Sequence, residues 1–187
     1  MTHSKFDLNQ ASKAIEKAGS GIPPLEKWNP EFCGDIDMRI ARDGRWFYMG
    51  TPIGRPAMVK LFSGVLWQEE GKHYLKTPVE KVGIQVDDAP FLIVSVNLQD
   101  GEHGPELVFT STTDDQVIAG KDHPITVEVC SDTEEPSPYI DVRFGMRGLI
   151  NRTVFYQLVE MAEEEQVDGR NMLVVESQGF RFSLGEF

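Results

Sequence analysis

The chain has 187 residues, 40% hydrophobic and 26% charged, and a formal net charge of −12. This balance belongs to a soluble globular protein with room for one domain or two small ones. The acidity argues against nucleic-acid polymers and anionic membrane surfaces as partners, because both are held through basic patches, and no apolar run approaches a membrane span.

The polar start Met1-Thr2-His3-Ser4-Lys5 lacks a signal-peptide pattern, which points to the cytoplasm. Leu8, Ala11, Ile15 and Ala18 then predict a short amphipathic helix, and Gly19-Ser20-Gly21-Ile22-Pro23-Pro24 a linker, so residues 1–24 stand apart. Trp28 and Phe32 are expected to pack the incoming chain onto the first domain, residues 25–86. Cys33 and Cys130 form no disulfide framework and read as reduced and buried.

Asp43-Gly44 lies between two alternating runs and predicts a two-residue type I′ hairpin loop. That register sets Arg42 opposite Arg45, Ile40 opposite Phe47 and Met38 opposite Met49. Ile36, Met38, Ile40, Phe47 and Met49 then share an apolar face, and Asp35, Asp37, Arg39, Trp46 and Tyr48 share the other. Aromatics can stack a planar ligand, Arg39 can hold a phosphate or carboxylate, and the Asp pair can accept hydrogen bonds or bind a hydrated cation. The alternative is a seam between domains, with Trp46 and Tyr48 covered and Asp37 paired to Arg39. Next, Gly50-Thr51-Pro52-Ile53-Gly54-Arg55-Pro56 leads into a helix at about 55–67, with Pro56 at its first position. A glycine-bearing loop before a helix can bind an anion, with Arg55 adding charge; a plain strand-to-helix turn is the simpler explanation.

Residues 73–76 and 81–86 read as strands, and 91–96 as a central strand buried on both faces. Asp100-Gly101 and Thr112 to Asp115 mark turns around strands at 107–109 and 116–118. Residues 125–129 form a one-sided strand, 131–138 a solvated loop and 139–144 a strand. A helix at about 151–165, capped by Asn151, carries Glu163, Glu164 and Glu165 where they oppose its dipole, and 172–176 and 179–184 are closing strands. Arg55, Met58, Leu61 and Phe62 recur as Arg152, Phe155, Leu158 and Val159, which makes the halves related and sets Arg55 and Arg152 at matching helix starts. The expected fold is α+β: two related sheet-plus-helix halves of mostly antiparallel strands, the second spanning 87–187.

Familiar catalytic patterns are missing. Asp35-x-Asp37 is no EF-hand, since Arg39 and Trp46 occupy ligand positions, and His3, His73, His103 and His123 lack metal-ligand spacing. Nothing activates Cys33 as a nucleophile. No catalytic residue, metal ligand or cofactor is assigned.

Cys33-Gly34-Asp35-Ile36-Asp37-Met38-Arg39-Ile40, Asp43-Gly44-x-Trp46-x-Tyr48 and Pro52-Ile53-Gly54-Arg55 resemble the bacterial family of domain of unknown function 1285. Thr77 to Val82, Asp88 to Phe91, Asp122-His123-Pro124 and Arg152-x-x-Phe155-Tyr156 are similar to its later blocks. The resemblance implies a duplicated α+β core whose C-terminal half is superficially pleckstrin-homology-like. It also implies a nucleotide-like ligand between the domains and a role in signalling.

The first functional reading is therefore a regulatory or sensor module binding a small, nucleotide-like anion through Asp35, Asp37, Arg39, Trp46, Tyr48, Arg55 and Arg152. The second is a module that binds a signalling protein partner and no small molecule. A third is a nucleotide hydrolase with a metal on Asp35 and Asp37.

Overall fold

The structure is a computed structural model that describes residues 6–17 and 21–187. The chain divides into two units, Met1–Asp88 and Ala89–Phe187. The expected polar start with His3, and Ala18 and Gly19-Ser20 of the helix and linker, lie outside the described residues.

In the first unit, helix α1 (Leu8–Glu16) begins at Asp7, whose carboxylate accepts from the backbone N–H groups of Asn9 and Gln10. Strands β1 (Phe32–Ile40), β2 (Trp46–Tyr48) and β3 (Thr51–Pro52) precede helix α2 (Pro56–Ser63), and β4 (Leu66–Glu69), β5 (Lys72–Lys76) and β6 (Lys81–Val86) follow it. They form one sheet in the order β3-β2-β1-β6-β5-β4, with β1 and β6 parallel. Helix α2 ends at Ser63, sooner than expected, with Gly64 at its C-cap, and Leu66–Glu69 form a strand.

The hairpin register differs from the predicted one by a single residue. Met38 pairs with Tyr48, Arg39 with Phe47 and Ile40 with Trp46. The loop holds three residues: the Ala41 N–H donates to Arg45 O, and only Gly44 of the Asp43-Gly44 pair has positive φ (86°). A type I turn closed by a left-handed glycine satisfies this geometry, so the two-residue loop is not needed. Because side chains alternate along a strand, the slip moves Trp46 and Tyr48 to the face of Met38 and Ile40 and puts Phe47 beside Arg39. Trp46 is 3% exposed, while Met49, expected in the core, is 61% exposed. Met49 (φ 52°) and Gly50 (φ 79°) form the two-residue turn between the paired Tyr48 and Thr51.

The same X-Gly solution recurs. Glu70-Gly71, Phe144-Gly145, Asp168-Gly169 and Gln178-Gly179 all have positive φ at both positions and close two-residue hairpins.

In the second unit, β7 (Phe91–Gly101), β8 (Gly104–Ser111), β9 (Gln116–Ile118), β10 (Ile125–Val129), β11 (Pro136–Arg143) and β12 (Met146–Ile150) form a sheet ordered β10-β11-β12-β7-β8-β9. Helix α3 (Arg152–Met161) leads to a separate antiparallel sheet of β13 (Glu163–Val167), β14 (Arg170–Ser177) and β15 (Phe180–Glu186). Fully buried Ser177 links the sheets, its hydroxyl donating to Ala119 O and accepting from the Leu107 N–H.

Several expectations change here. Strand β7 is interior in the sheet but not buried on both faces: the register shifts between Ile93 and Ser95, and Val94 is 41% exposed. That bulge lets Ile93 pair with Ser111 while Val96 and Leu98 pair with Phe109 and Leu107. The turn after β7 is Glu102-His103, not Asp100-Gly101, which stays in the strand. Asn151 caps α3 as predicted, accepting from the Val154 N–H, but the helix ends at Met161. Glu163 to Glu165 therefore oppose no dipole, and β13 sets Glu163 and Glu165 beside Arg181. Cys33 and Cys130 are both exposed. Leu25 is fully buried ahead of the first sheet, whereas Phe32 is 54% exposed.

The two units share an element order. Each unit has a hairpin, a helix and a three-stranded meander, but the first meander joins its sheet through β6 whereas the second stands alone. Arg55 is the N-cap of α2 and Arg152 the first residue of α3, one position out of step.

Candidate functional site

Helices α1 and α2 cover one face of the first sheet: Ala11, Ile15 and Phe62 surround the same small void as Leu75 and Val82. Tyr48 belongs there, its hydroxyl donating to Phe6 O and its ring edge-on to Phe6. Trp46 and Tyr48 thus build the core and offer no stacking surface beside Arg39.

The other face carries the polar chemistry. Asp35 lies over Gly83, where an added Cβ would come within 2.0 Å of its carboxylate oxygen. Arg39 pairs with Asp87 and lies 4.8 Å from the Phe47 ring centroid, and Gln85 also donates to Asp87. Asp37 is exposed, its backbone carbonyl accepts from the Met49 N–H, and among the described residues its carboxylate has no hydrogen bond or ion pair. Asp37 therefore does not hold Arg39, contrary to the seam reading.

Next to Asp35 stands a cluster that the sequence reading missed. The register sets Trp67 opposite Tyr74, Tyr74 opposite Gly83, and Lys76 opposite Lys81. The Lys76 ammonium lies 3.8 Å from the Trp67 ring centroid, and that of Lys81 lies 4.9 Å from Tyr74. Phe32 meets Tyr74 edge-on at 5.8 Å. Glu69 accepts from Lys81 at 3.0 Å and from the Trp67 indole N–H at 2.8 Å, and these bonds, that from Lys81 foremost, hold its carboxyl below the usual range.

Lys76 is the exception within this cluster. It is 4% exposed, and among the described residues its ammonium has no hydrogen bond or ion pair. Burial pushes its pKa down, opposed by the nearby Glu69 charge. The alternation Trp67-x-Glu69, Lys72-x-Tyr74-x-Lys76 and Lys81-x-Gly83 was the available sequence signal. The helix expected at about 55–67 takes in Leu66 and Trp67 and so hides this alternation.

The remaining predicted residues are elsewhere. Arg55 is exposed at the start of α2, lining a groove with Lys13, Glu16 and Met58 on the helical side of the sheet. Arg152 is exposed in the second unit, 4.0 Å from Glu135. Among the described residues no three His, Cys, Asp or Glu side chains are placed to hold a metal, and no helix is long and apolar enough to cross a membrane.

Residues 23–89 match the domain of unknown function DUF1285, N-terminal domain, and residues 90–184 match its C-terminal domain. The chain belongs to the DUF1285 family. A crystal structure of a DUF1285 family protein from Silicibacter pomeroyi DSS-3 is similar at 47% identity and a TM-score of 0.88, over 98% of this chain and 97% of that one. A second DUF1285 structure, from Shewanella baltica OS155, is similar at 28% identity and a TM-score of 0.52, over 66% of this chain and 90% of that one. No curated protein matches the chain.

Proposed function

We propose that this DUF1285 chain is a regulatory binding module whose N-terminal unit takes a small, planar, anionic ligand of nucleotide type on the outer face of its sheet. The observation that supports it is Lys76, a buried cation stacked on Trp67 with no carboxylate bonded to it. Burying such a charge is costly, and uncompensated buried charge concentrates at functional sites. Glu69 offsets part of that cost from nearby, and a phosphate or carboxylate would supply a direct partner. The partly buried rings of Trp67 and Tyr74, with exposed Phe32 beside them, would flank a base. Asp35 would accept from an amino or hydroxyl group. In this reading Arg39 supports the face rather than holding phosphate, since Asp87 already engages it. In this reading the protein works in the cytoplasm, in signal transduction.

The test is thermal unfolding against a panel of nucleotides, cyclic nucleotides and dinucleotides. A ligand at one hundred times its dissociation constant stabilises the fold by about 2.7 kcal/mol, a midpoint shift of several degrees. We expect a shift that Lys76→Met and Trp67→Leu each abolish while the unliganded proteins stay folded. A shift unaffected by either variant would refute the location. No shift at millimolar ligand would favour a protein partner instead.

A further inference from the structure

The C-terminal unit contains a cleft of its own, about 140 Å³, between the far end of β7, the last turn of α3 and the separate three-stranded sheet. Its floor is apolar: Leu107 is 2% exposed, while Leu98 and Met161 remain open at 59% and 38%. For comparison, a protein cavity of about 150 Å³ lined by aliphatic groups admits benzene, so this one has room for an alkyl chain of roughly six carbons.

The rim is charged, and unevenly so. Glu163, Glu176 and Arg181 line it. Arg181 is hydrogen-bonded to Glu165, at 2.6 and 3.0 Å, and lies within ion-pair distance of Glu163, at 3.8 Å, and of Glu176, at 3.7 Å. Among the described residues neither Glu163 nor Glu176 has a side-chain hydrogen bond. Three carboxylates thus surround one guanidinium already engaged by Glu165, and the surplus charge at the cleft mouth is negative. An apolar floor under a negative rim complements a chain that is greasy along its length and cationic at its tip.

We propose that this cleft binds a primary aliphatic amine, its alkyl stem on Leu98, Leu107 and Met161 and its ammonium between Glu163 and Glu176. The site is independent of the ligand proposed for the N-terminal unit. An alkyl carboxylate would meet Glu163 and Glu176 with like charge, and Glu165 already takes the Nε and one terminal nitrogen of Arg181.

The probes are hexylammonium, 1-hexanol and hexanoate, titrated into the full chain with labelled methionine methyl groups. Hexylammonium should move the Met161 methyl resonance and bind about fivefold tighter than hexanol, the size of effect exposed ion pairs supply. The double variant Glu163→Gln/Glu176→Gln should lose that advantage while still binding hexanol, which also shows that its cleft is intact. Hexanoate binding as well as hexylammonium, or no Met161 shift with any probe, overturns the proposal. Comparing Nα-acetyl-lysine methylamide with 1,6-diaminohexane then identifies the source of the amine. Tighter binding of the former assigns the cleft to a lysine of a partner protein, and of the latter to a free polyamine; either supports the amine site.

Discussion

Lys76 and Trp46 show how far a single residue's role depends on which side of a strand it takes. Trp46 sits at 3% exposure among Met38 and Ile40, so Trp46→Ala removes a large core side chain and should cost about 3–5 kcal/mol. Urea unfolding measures this, and a loss below about 1 kcal/mol would mean that Trp46 does not fill the core. Lys76 works the other way. Its folded pKa lies below the unfolded value of 10.5, so the unfolded chain binds the extra proton between those two values and stability rises with pH there. Below the folded pKa the burial penalty is complete. Lys76→Met keeps the stem over Trp67 and removes the charge. Stability at neutral pH should hold or rise by up to about 1 kcal/mol, and the alkaline rise should flatten. Unfolding at pH 7 and pH 10 measures both, and a loss above about 2 kcal/mol would make Lys76 structural. Trp46 was legible as special in the sequence, and Lys76 was not. Their faces were not legible, because a one-residue slip exchanges every side chain between the two sides of a sheet.

Turns decide that slip at the scale of elements. Asp-Gly is a strong two-residue hairpin signal, yet Asp43-Gly44 forms a three-residue loop, and Met49-Gly50, with a poor turn residue, takes positive φ at both positions. Pairing between the flanking strands evidently overrides local preference at Met49. Its left-handed backbone and 61% exposure make it a site for improvement: Met49→Asn should raise stability by about 0.5–1 kcal/mol, since Asn tolerates that conformation. An unchanged urea midpoint would show that the turn is unstrained. The Glu163 to Glu165 run was misread for a related reason. Acidic residues read as a helix end when seen alone, and as an edge strand once Arg181 lies two strands away to pair with alternate positions. Lys76, Lys81 and Trp67 likewise form a cluster only through the pairing of β4, β5 and β6.

For the molecule as a whole, net charge sets a prediction of its own. At −12 the folded chain repels itself, and the ion pairs on its surface, such as Arg147–Glu128 and Arg181–Glu165, offset only part of that. Raising sodium chloride from about 10 to 200 mM shortens the screening length and should raise the thermal midpoint by a few degrees. A falling midpoint would show that local pairs outweigh long-range repulsion. The motifs around Asp35 and Arg39 carried the resemblance to the family, while composition and hydrophobic periodicity determined by themselves the α+β class, the two-unit order and the helix starts at Pro56 and Asn151. These follow from local chemistry: burial frequency, φ preference and hydrogen bonding within a few residues. Only the tertiary structure decided the register of the first hairpin, the bulge in β7, the independence of the last sheet, and which cations meet which rings. Each of those depends on pairing between distant strands, where alternatives one residue apart satisfy the same local rules.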